Sequence, residues 1–276
     1  MRWDGLKRNR VNEKLLLLGD EAVALGALYA GLSGVYAYPG TPSTEITEYI
    51  QRSPLARERG VRSRWCTNEK TAMEAALGMS YAGRRALVCM KHVGMNVCAD
   101  AFVNAAVTGV KGGLVVLAAD DPSMHSSQNE QDSRFYAKFA MVPVLEPSCQ
   151  QEAFDMVADA FALSERLRLP VLMRLVTRLA HSRAAVQTGA LQPQNALSPD
   201  DERTRWVLLP GNAKRQYASL VDRQPEILAG AEASAYNRLE VPDPVREDLG
   251  VIAAGIGYNY VREVLPEGLS VLKVSQ

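Results

Sequence analysis

Glu69 stands at the head of a predicted helix that is built mostly of small residues. In the segment NEKTAMEAALGMSYAG, residues 68–83, alanine or glycine occupies positions where leucine would bury more surface: Ala72, Ala75, Ala76, Gly78 and Ala82. Such a helix lets another molecule or domain approach closely, and a carboxylate at its start can contact that molecule. The helix dipole also favours a glutamate in the first turn, by about 0.3–1 kcal/mol, so the residue types alone leave both explanations open.

Three further groups of polar residues follow predicted strands. The turn YPGTPSTE, residues 38–45, joins rigid Pro-Gly and Thr-Pro pairs to a helix start, whose amide groups can bind an anion such as a carboxylate. The segment KHVGMN, residues 91–96, places Lys91 and His92 ahead of a glycine. The segment DDPSMHSSQNEQDSR, residues 120–134, consists almost entirely of hydrogen-bonding side chains. Taken singly, the first two groups are more commonly a capped turn and a structural histidine, whereas the third favours an active-site loop over a solvated one.

The elements that must position these residues alternate between helix and strand. We predict helices over 19–32, 43–53, 68–83, 96–109, 129–139 and 150–167, and strands over 34–40, 61–66, 85–91, 112–120, 141–147 and 170–177. Continuously apolar strands that alternate with helices predict an α/β fold with a doubly wound parallel sheet covered on both faces. The polar groups then all follow the carboxyl ends of strands, where such sheets bind ligands. This shared position indicates a site more strongly than any one group does.

The character of the sequence changes after residue 181. We predict a first domain over 1–181 and a linker over 182–248, which is polar and irregular to residue 205 and contains a helix over 212–240 that Pro225 interrupts. Residues 249–276 return to strand, helix and strand, which predicts the start of a second α/β domain. A second parallel strand with nothing after it is half a structural unit. We therefore expect either a fragment or a chain that another subunit completes.

Composition argues against several classes of function. The 31 basic and 31 acidic side chains balance, so no net charge attracts nucleic acid or an anionic membrane. No apolar run reaches the length of a membrane span, and the N-terminus lacks the pattern of a signal peptide. The four cysteines lack C-x-x-C spacing, which predicts reduced thiols in a cytoplasmic protein and no iron–sulfur or zinc site within this chain.

The motifs together resemble the alpha subunit of indolepyruvate:ferredoxin oxidoreductases, a family of thiamine-diphosphate-dependent 2-oxoacid:ferredoxin oxidoreductases. The most specific motifs are MKHVGMN, residues 90–96, and MHSSQNEQDSRFYAKFA, residues 124–140. The resemblance runs from about residue 15 to 180 and resumes over 250–275. It implies a pyrimidine-binding domain for thiamine diphosphate, followed by the start of a transketolase-C-terminal-like domain.

The resemblance also implies roles for individual residues. Glu69 falls on the catalytic glutamate that bonds to N1′ of the aminopyrimidine ring and so favours the 4′-imino form that takes the thiazolium C2 proton. The other cofactor contacts that it implies are Tyr38, Pro39, Gly40, His92 and Asn96. The substrate contacts that it implies are Thr41, Pro42, Ser43, His125, Gln128, Asn129 and Arg134. No metal ligand is expected in this chain.

The activity that the resemblance implies is oxidative decarboxylation of an arylpyruvate, such as indolepyruvate, to acyl-CoA, with electrons passed to ferredoxin. The family's G-D-G motif for diphosphate and magnesium and its clustered cysteines are missing from this sequence. Magnesium and [4Fe-4S] clusters are therefore expected in another part or partner of a cytoplasmic oligomer. The expected partners are a pyrophosphate-binding domain or subunit, a beta subunit, ferredoxin, the 2-oxoacid and coenzyme A, and the chain alone should not turn over.

Two other functions stay open at this point. One is a thiamine-diphosphate-dependent 2-oxoacid decarboxylase without iron–sulfur centres, which would share the pyrimidine-binding domain. The other is a non-catalytic remnant that binds a partner subunit, which the abrupt end of the sequence suggests.

Overall fold

A computed structural model of the chain describes residues 12–199, 203–246, 248–264 and 266–276. Its first seven strands are β1 (Lys14–Leu18), β2 (Gly34–Ala37), β3 (Arg62–Trp65), β4 (Ala86–Lys91), β5 (Leu114–Asp120), β6 (Val144–Leu145) and β7 (Val171–Val176). The helices between and after them are α1 (Gly19–Tyr29), α2 (Thr44–Arg52), α3 (Pro54–Glu58), α4 (Glu69–Tyr81), α5 (His92–Thr108), α6 (Arg134–Ala140), α7 (Gln150–Leu167) and α8 (Thr177–Ala180). The later elements are β8 (Arg183–Gln187), a 3-10 turn (Arg203–Trp206), α9 (Pro210–Asp222), α10 (Gln224–Glu232), β9 (Arg238–Glu240), β10 (Gly250–Ala254), α11 (Ile256–Val264) and β11 (Ser270–Val274).

Six parallel strands form the central sheet in the order β3-β2-β4-β5-β7-β6. This confirms the predicted doubly wound α/β fold. The chain runs from β2 to one side of the sheet and then returns to form β4 on the other side. The crevice outside the carboxyl ends of β2 and β4 is the switch point at which such folds bind ligands. The turn after β2 and the start of α5 border this crevice.

Strand β4 shows how the sequence covers both faces of the sheet. Leu87 and Cys89 pack into the core that contains α1 and α7, while Val88 and Met90 pack into the core that contains α4 and α5. Successive side chains of a strand point to opposite faces, so a strand that is apolar at every position needs helices on both sides. The run of apolar residues in the sequence is therefore the direct cause of the three-layer architecture.

Helix α1 packs closely against α7 at Gly26. A Cβ atom on Gly26 would lie 2.3 Å from the carbonyl oxygen of Phe154, so any side chain there would push the two helices apart. We expect Gly26→Ala to lower the free energy of unfolding by about 1–3 kcal/mol, measured by urea denaturation. Gly78→Ala is the matched control, because a Cβ there meets no atom within 4 Å and should be neutral or stabilising by up to about 1 kcal/mol. Equal losses in both variants would contradict the packing explanation.

Several predicted elements are wrong in extent. The predicted helix over 129–139 begins only at Arg134, because the residues before it form a loop whose last residue, Ser133, donates its amide and hydroxyl to Asp120. The predicted strand over 141–147 shrinks to Val144–Leu145, since the prolines at 143 and 147 lack the amide hydrogen that a ladder needs. The predicted helix over 96–109 begins earlier, at His92, with Lys91 as its extended cap residue.

The segment after residue 181 is more ordered than predicted. Arg183–Gln187 forms β8, which pairs antiparallel with β1, so the expectation of an irregular chain over 182–205 is wrong for these residues. Each strand of this ribbon has a single buried apolar residue, Leu17 in β1 and Val186 in β8, and neither strand was predicted. The predicted break at Pro225 is confirmed, because α9 ends at Asp222 and α10 starts at Gln224.

The predicted strand, helix and strand over 249–275 are confirmed as β10, α11 and β11. They form a second sheet in the order β10-β11-β9, in which β10 and β11 run parallel. The fully buried Lys273 of β11 pairs with Glu152 of α7 and fastens this sheet to the first part of the chain. The domain limits at 181 and 248 stay a prediction, and β9 lies with the second sheet. None of the helices described combines the length and the apolar character that a membrane span requires.

Candidate functional site

Glu69 is the first residue of α4, and only 8% of it is exposed. The preceding residue, Asn68, caps the helix by accepting a hydrogen bond of 2.9 Å from the amide of Thr71. The Glu69 carboxylate packs against Gly94 of α5, where a Cβ atom would lie 2.6 Å from Oε1. No group in the described part of the chain donates a hydrogen bond to this carboxylate. Its two oxygens are not among the fully buried polar atoms that lack a partner, so they remain open to accept a hydrogen bond from a bound molecule.

Gly94 keeps the space that the Glu69 side chain occupies. In a Gly94→Ala variant the new methyl group would overlap Cγ, Cδ and Oε1 of Glu69, at 2.6, 2.9 and 2.6 Å, so the carboxylate would have to move. If Glu69 binds a cofactor, we expect affinity of the complete enzyme for thiamine diphosphate with magnesium to fall about tenfold or more, a loss of roughly 1.4 kcal/mol, in isothermal titration calorimetry.

Gly211→Ala is the control for that titration, since a Cβ atom on Gly211 of α9 meets nothing within 4 Å. An affinity that is the same in Gly94→Ala and in the unmodified enzyme would show that the position of Glu69 does not matter for cofactor binding.

The turn after β2 closes on itself. The amide and the hydroxyl of Ser43 both donate to the carbonyl oxygen of Gly40, at 2.9 and 2.8 Å, and the amide of Gly40 donates to Oγ1 of Thr44 at 2.9 Å. Ser43 and Pro42 are buried, so both shape the turn from inside and the Ser43 hydroxyl already has its partner. The exposed members of the turn are Tyr38, Pro39 and Thr41.

His92 is fully buried as the first residue of α5. Its Nε2 lies 3.1 Å from the carbonyl oxygen of Asn129, while its Nδ1 has no partner among the described residues. Nearby, Nζ of Lys91 donates to the carbonyl oxygen of Ser126 at 2.8 Å. These contacts hold the polar loop, residues 121–133, against the end of β4. His92 therefore influences the site indirectly, by holding the backbone of this loop at Asn129.

Asp121 organises the polar loop. Its carboxylate accepts hydrogen bonds from the amide of Ser126 at 2.8 Å, the hydroxyl of Ser127 at 2.6 Å and the hydroxyl of Thr177 at 2.7 Å. Burial alone would raise the pKa of this carboxyl, but the hydrogen bonds outweigh burial and hold the pKa below its ordinary value. The carboxylate is therefore charged at neutral pH, and the charged form holds the loop.

A network of buried charges lies beneath the polar loop. Nε of Arg174 contacts Oδ2 of Asp120 at 2.6 Å, and its Nη1 contacts Oε1 of Glu146 at 2.5 Å. Arg134 contacts Asp132 at 2.6 Å and Glu146 at 3.3 Å. The guanidinium of Arg134 is thus already paired within the chain. Sequence reasoning missed Arg174 and Glu146, although an arginine inside the apolar run VLMRLV was a usable signal.

The remaining predicted residues lie around the same loop. Oδ1 of Asn96 accepts a hydrogen bond from the hydroxyl of Tyr136, which joins α5 to α6. Gln128 and His125 are exposed on the loop, and His125 lines a cavity of about 270 Å³. The cavity is also lined by Ser123, Arg174, Thr177, Ile256 and Tyr260. All the predicted site residues therefore follow the carboxyl ends of β2, β3, β4 and β5, at one edge of the sheet.

The chain has relatives of known name. It is 40% identical, over 99% of its length, to indolepyruvate oxidoreductase subunit IorA of Thermococcus kodakarensis. It is 30% identical, over 64% of its length, to 2-oxoglutarate synthase subunit KorA of Methanothermobacter thermautotrophicus. The chain spans 42% of that IorA protein and 48% of that KorA protein.

The fold is also found in a solved structure. The 2-oxoglutarate:ferredoxin oxidoreductase from Magnetococcus marinus superposes with a TM-score of 0.72 and 17% sequence identity, covering 96% of this chain and 54% of that one. Residues 25–226 match the family model described as pyruvate flavodoxin/ferredoxin oxidoreductase, thiamine diphosphate-binding, and this range includes every predicted site residue. The chain therefore belongs to the thiamine diphosphate-binding family of pyruvate flavodoxin/ferredoxin oxidoreductases.

Proposed function

We propose that this chain supplies the pyrimidine-binding side of the thiamine diphosphate site in an arylpyruvate:ferredoxin oxidoreductase. The observation that carries the proposal is the Glu69 carboxylate, which is nearly buried at the ligand-binding edge of the sheet and receives no hydrogen bond from the described residues. Gly94 leaves room for this carboxylate, and the family assignment supports the cofactor. When bound, thiamine diphosphate supplies the carbanion chemistry that cleaves the bond between the keto carbon and the carboxylate of a 2-oxoacid.

Glu69 would hold the proton that it shares with N1′ of the aminopyrimidine ring. Carboxylic acids and carboxylates exchange such a proton, whereas an amide of the same size does not. The Glu69 carboxylate can bind the ring nitrogen because no hydrogen bond from the described residues occupies it. The buried Ala72 and Ala76 let α4 lie close to the sheet, which fixes the height of Glu69 above the strand ends.

The other proposed contacts divide according to their exposure. The exposed Tyr38, Pro39 and Thr41 can touch cofactor or substrate directly. Residues that act through the backbone or the shape of a loop are Gly40, Pro42, Ser43, His92 and Asn129. The polar side chains left for substrate or cofactor are Asn96, His125, Gln128 and Arg134, of which Arg134 would have to be shared with Asp132 and Glu146.

The wider activity that we propose is oxidative decarboxylation of an arylpyruvate to acyl-CoA with reduction of ferredoxin. The higher identity to an indolepyruvate oxidoreductase subunit than to a 2-oxoglutarate synthase subunit supports an aryl substrate. The pyrophosphate-binding part, magnesium, iron–sulfur clusters and the beta subunit belong, in this proposal, to the remainder of a cytoplasmic assembly. The domain limits at 181 and 248 are part of the same proposal.

The proposal is tested by assaying the complete enzyme that contains this chain with its partner subunit. We expect ferredoxin reduction with indolepyruvate and phenylpyruvate at a kcat/KM that exceeds the value for 2-oxoglutarate by about 100-fold or more, since a site shaped for an aromatic ring leaves a second carboxylate unpaired. Release of carbon dioxide without ferredoxin reduction would point to the decarboxylase instead. A stable complex without turnover of any 2-oxoacid would point to the non-catalytic remnant.

A further inference from the structure

Asp20, Glu45 and His181 come together on the side of the sheet opposite to Glu69. Asp20 is the second residue of α1 and Glu45 the second residue of α2, two helices that pack into the core on the face away from α4. His181 directly follows α8, at the carboxyl end of β7. The three residues are far apart in the sequence, so no motif indicates that they meet.

Asp20 is completely buried, and neither of its carboxylate oxygens has a hydrogen-bond partner among the described residues. Oε2 of Glu45 is buried and lacks a partner in the same part of the chain. Burial, together with the carboxylates of Glu45 and Glu21, raises the pKa of Asp20 well above its ordinary value. Buried carboxylates in folded proteins are paired with a cation or coordinate a metal. Among the described residues, the cationic group recorded beside both carboxylates is His181, which is charged only when it is protonated.

The distances between the three residues suit a shared cation. Nε2 of His181 lies 3.8 Å from Oδ2 of Asp20 and 3.8 Å from Oε1 of Glu45, too far for hydrogen bonds. One ligand atom from each residue lies within 4.8 Å of the other two. With these two distances and a third of at most 4.8 Å, a point equidistant from the three atoms is about 1.9–2.5 Å from each, a range that includes metal bonds to imidazole nitrogen and carboxylate oxygen.

We propose that Asp20, Glu45 and His181 bind one divalent transition-metal ion. Two carboxylates would neutralise its charge, and the imidazole favours a transition metal such as zinc over magnesium or calcium. His181 is 37% exposed, which gives the ion a path from solvent and leaves room for water ligands. The ion would be structural, because it would fasten the starts of α1 and α2 to the segment after β7. Glu45 follows the Tyr38–Thr44 turn directly, so the ion would also stiffen that turn.

The test uses the full chain after removal of metals with a chelator. Zn²⁺ is titrated in calorimetry, and Co²⁺ is followed by its visible absorption, which reports nitrogen and oxygen ligands. We expect one ion per chain and a higher melting temperature with Zn²⁺. Asp20→Asn, which keeps the shape and removes the charge, should weaken Zn²⁺ binding by at least about tenfold, and His181→Ala should do the same. His125→Ala is the matched control, since it removes an exposed histidine elsewhere and should leave Zn²⁺ binding unchanged.

Two results would overturn the proposal. One is a chain that takes up neither Zn²⁺ nor Co²⁺ in stoichiometric amount, in which case a rise in melting temperature for Asp20→Asn would show that the Asp20 carboxyl is buried without a compensating cation. The other is Zn²⁺ binding that persists unchanged in both Asp20→Asn and His181→Ala. The readouts are metal content and stability of the chain, so the result does not depend on the proposed oxidoreductase activity.

Discussion

Replacing Glu69 with glutamine in the complete enzyme is expected to slow exchange of the thiamine C2 proton by about 10²–10⁴-fold. The amide has the size of the carboxyl group but cannot share and return a proton at the ring nitrogen. The fold should stay intact, because the Glu69 carboxylate receives no hydrogen bond within the described chain and glutamine fits the same space beside Gly94. The loss should therefore appear in the chemistry and not in the free energy of unfolding.

Deuterium exchange at C2, followed by proton NMR, measures this effect directly, and ferredoxin reduction measures its consequence for turnover. Glu74→Gln is the matched control, because Glu74 lies on the same helix, undergoes the same chemical change and is exposed. Its exchange rate should equal that of the unmodified enzyme. If Glu69→Gln also exchanged at the unmodified rate, the role that we give to Glu69 would have to be abandoned.

Removing Arg174 is expected to cause the largest loss of stability. Arg174→Met would leave the fully buried carboxylate of Asp120 without a cation, while Glu146 would keep only its longer contact of 3.3 Å with Arg134. An unpaired buried charge costs about 3–5 kcal/mol, so the free energy of unfolding should fall by that amount in urea denaturation. The polar loop should loosen as well, because Asp120 also anchors the amide of Ser133, at 3.0 Å, at the end of that loop.

Arg166→Met provides the comparison for Arg174→Met. Arg166 also pairs with a glutamate, Glu226, but both side chains are more than half exposed, so its removal should cost less than about 1 kcal/mol. Adding Asp120→Asn and Glu146→Gln to Arg174→Met should recover part of the stability, since the buried charges are then gone. Equal losses for the two arginine variants would mean that the buried network has no special energetic role.

Glu69→Gln and Arg174→Met distinguish residues that act in catalysis from residues that stabilise the fold at this edge of the sheet. Glu69 is unpaired within the described chain and is expected to matter for proton transfer, whereas Arg174 is fully paired and is expected to matter for stability. In the proposed enzyme the paired residues hold the loop and the unpaired residue contacts the cofactor. The division follows from the hydrogen bonds alone and does not require knowledge of the substrate.

The sequence by itself determined the architecture of the sheet and placed the candidate site residues at the carboxyl ends of its strands. Strands that are apolar at every position predicted a sheet covered on both faces, and the period of α7 predicted a helix with the bounds Gln150–Leu167 that the structure has. The polar segments that follow these strands predicted a site at the carboxyl edge. Local periodicity is sufficient for this, because it depends only on which neighbours along the chain must be buried.

Only the tertiary structure decided what each polar side chain contacts. The sequence placed His92 in a loop, but α5 begins at this residue, and its imidazole meets Asn129 from another loop. Arg134 was expected to contact substrate, but two carboxylates already pair with it. Arg174 gained its role because β7 lies beside β5, which brings it to Asp120. The partner of a polar group depends on which strand ends meet in space. The hydrophobic period of a single strand does not determine the order of strands in the sheet.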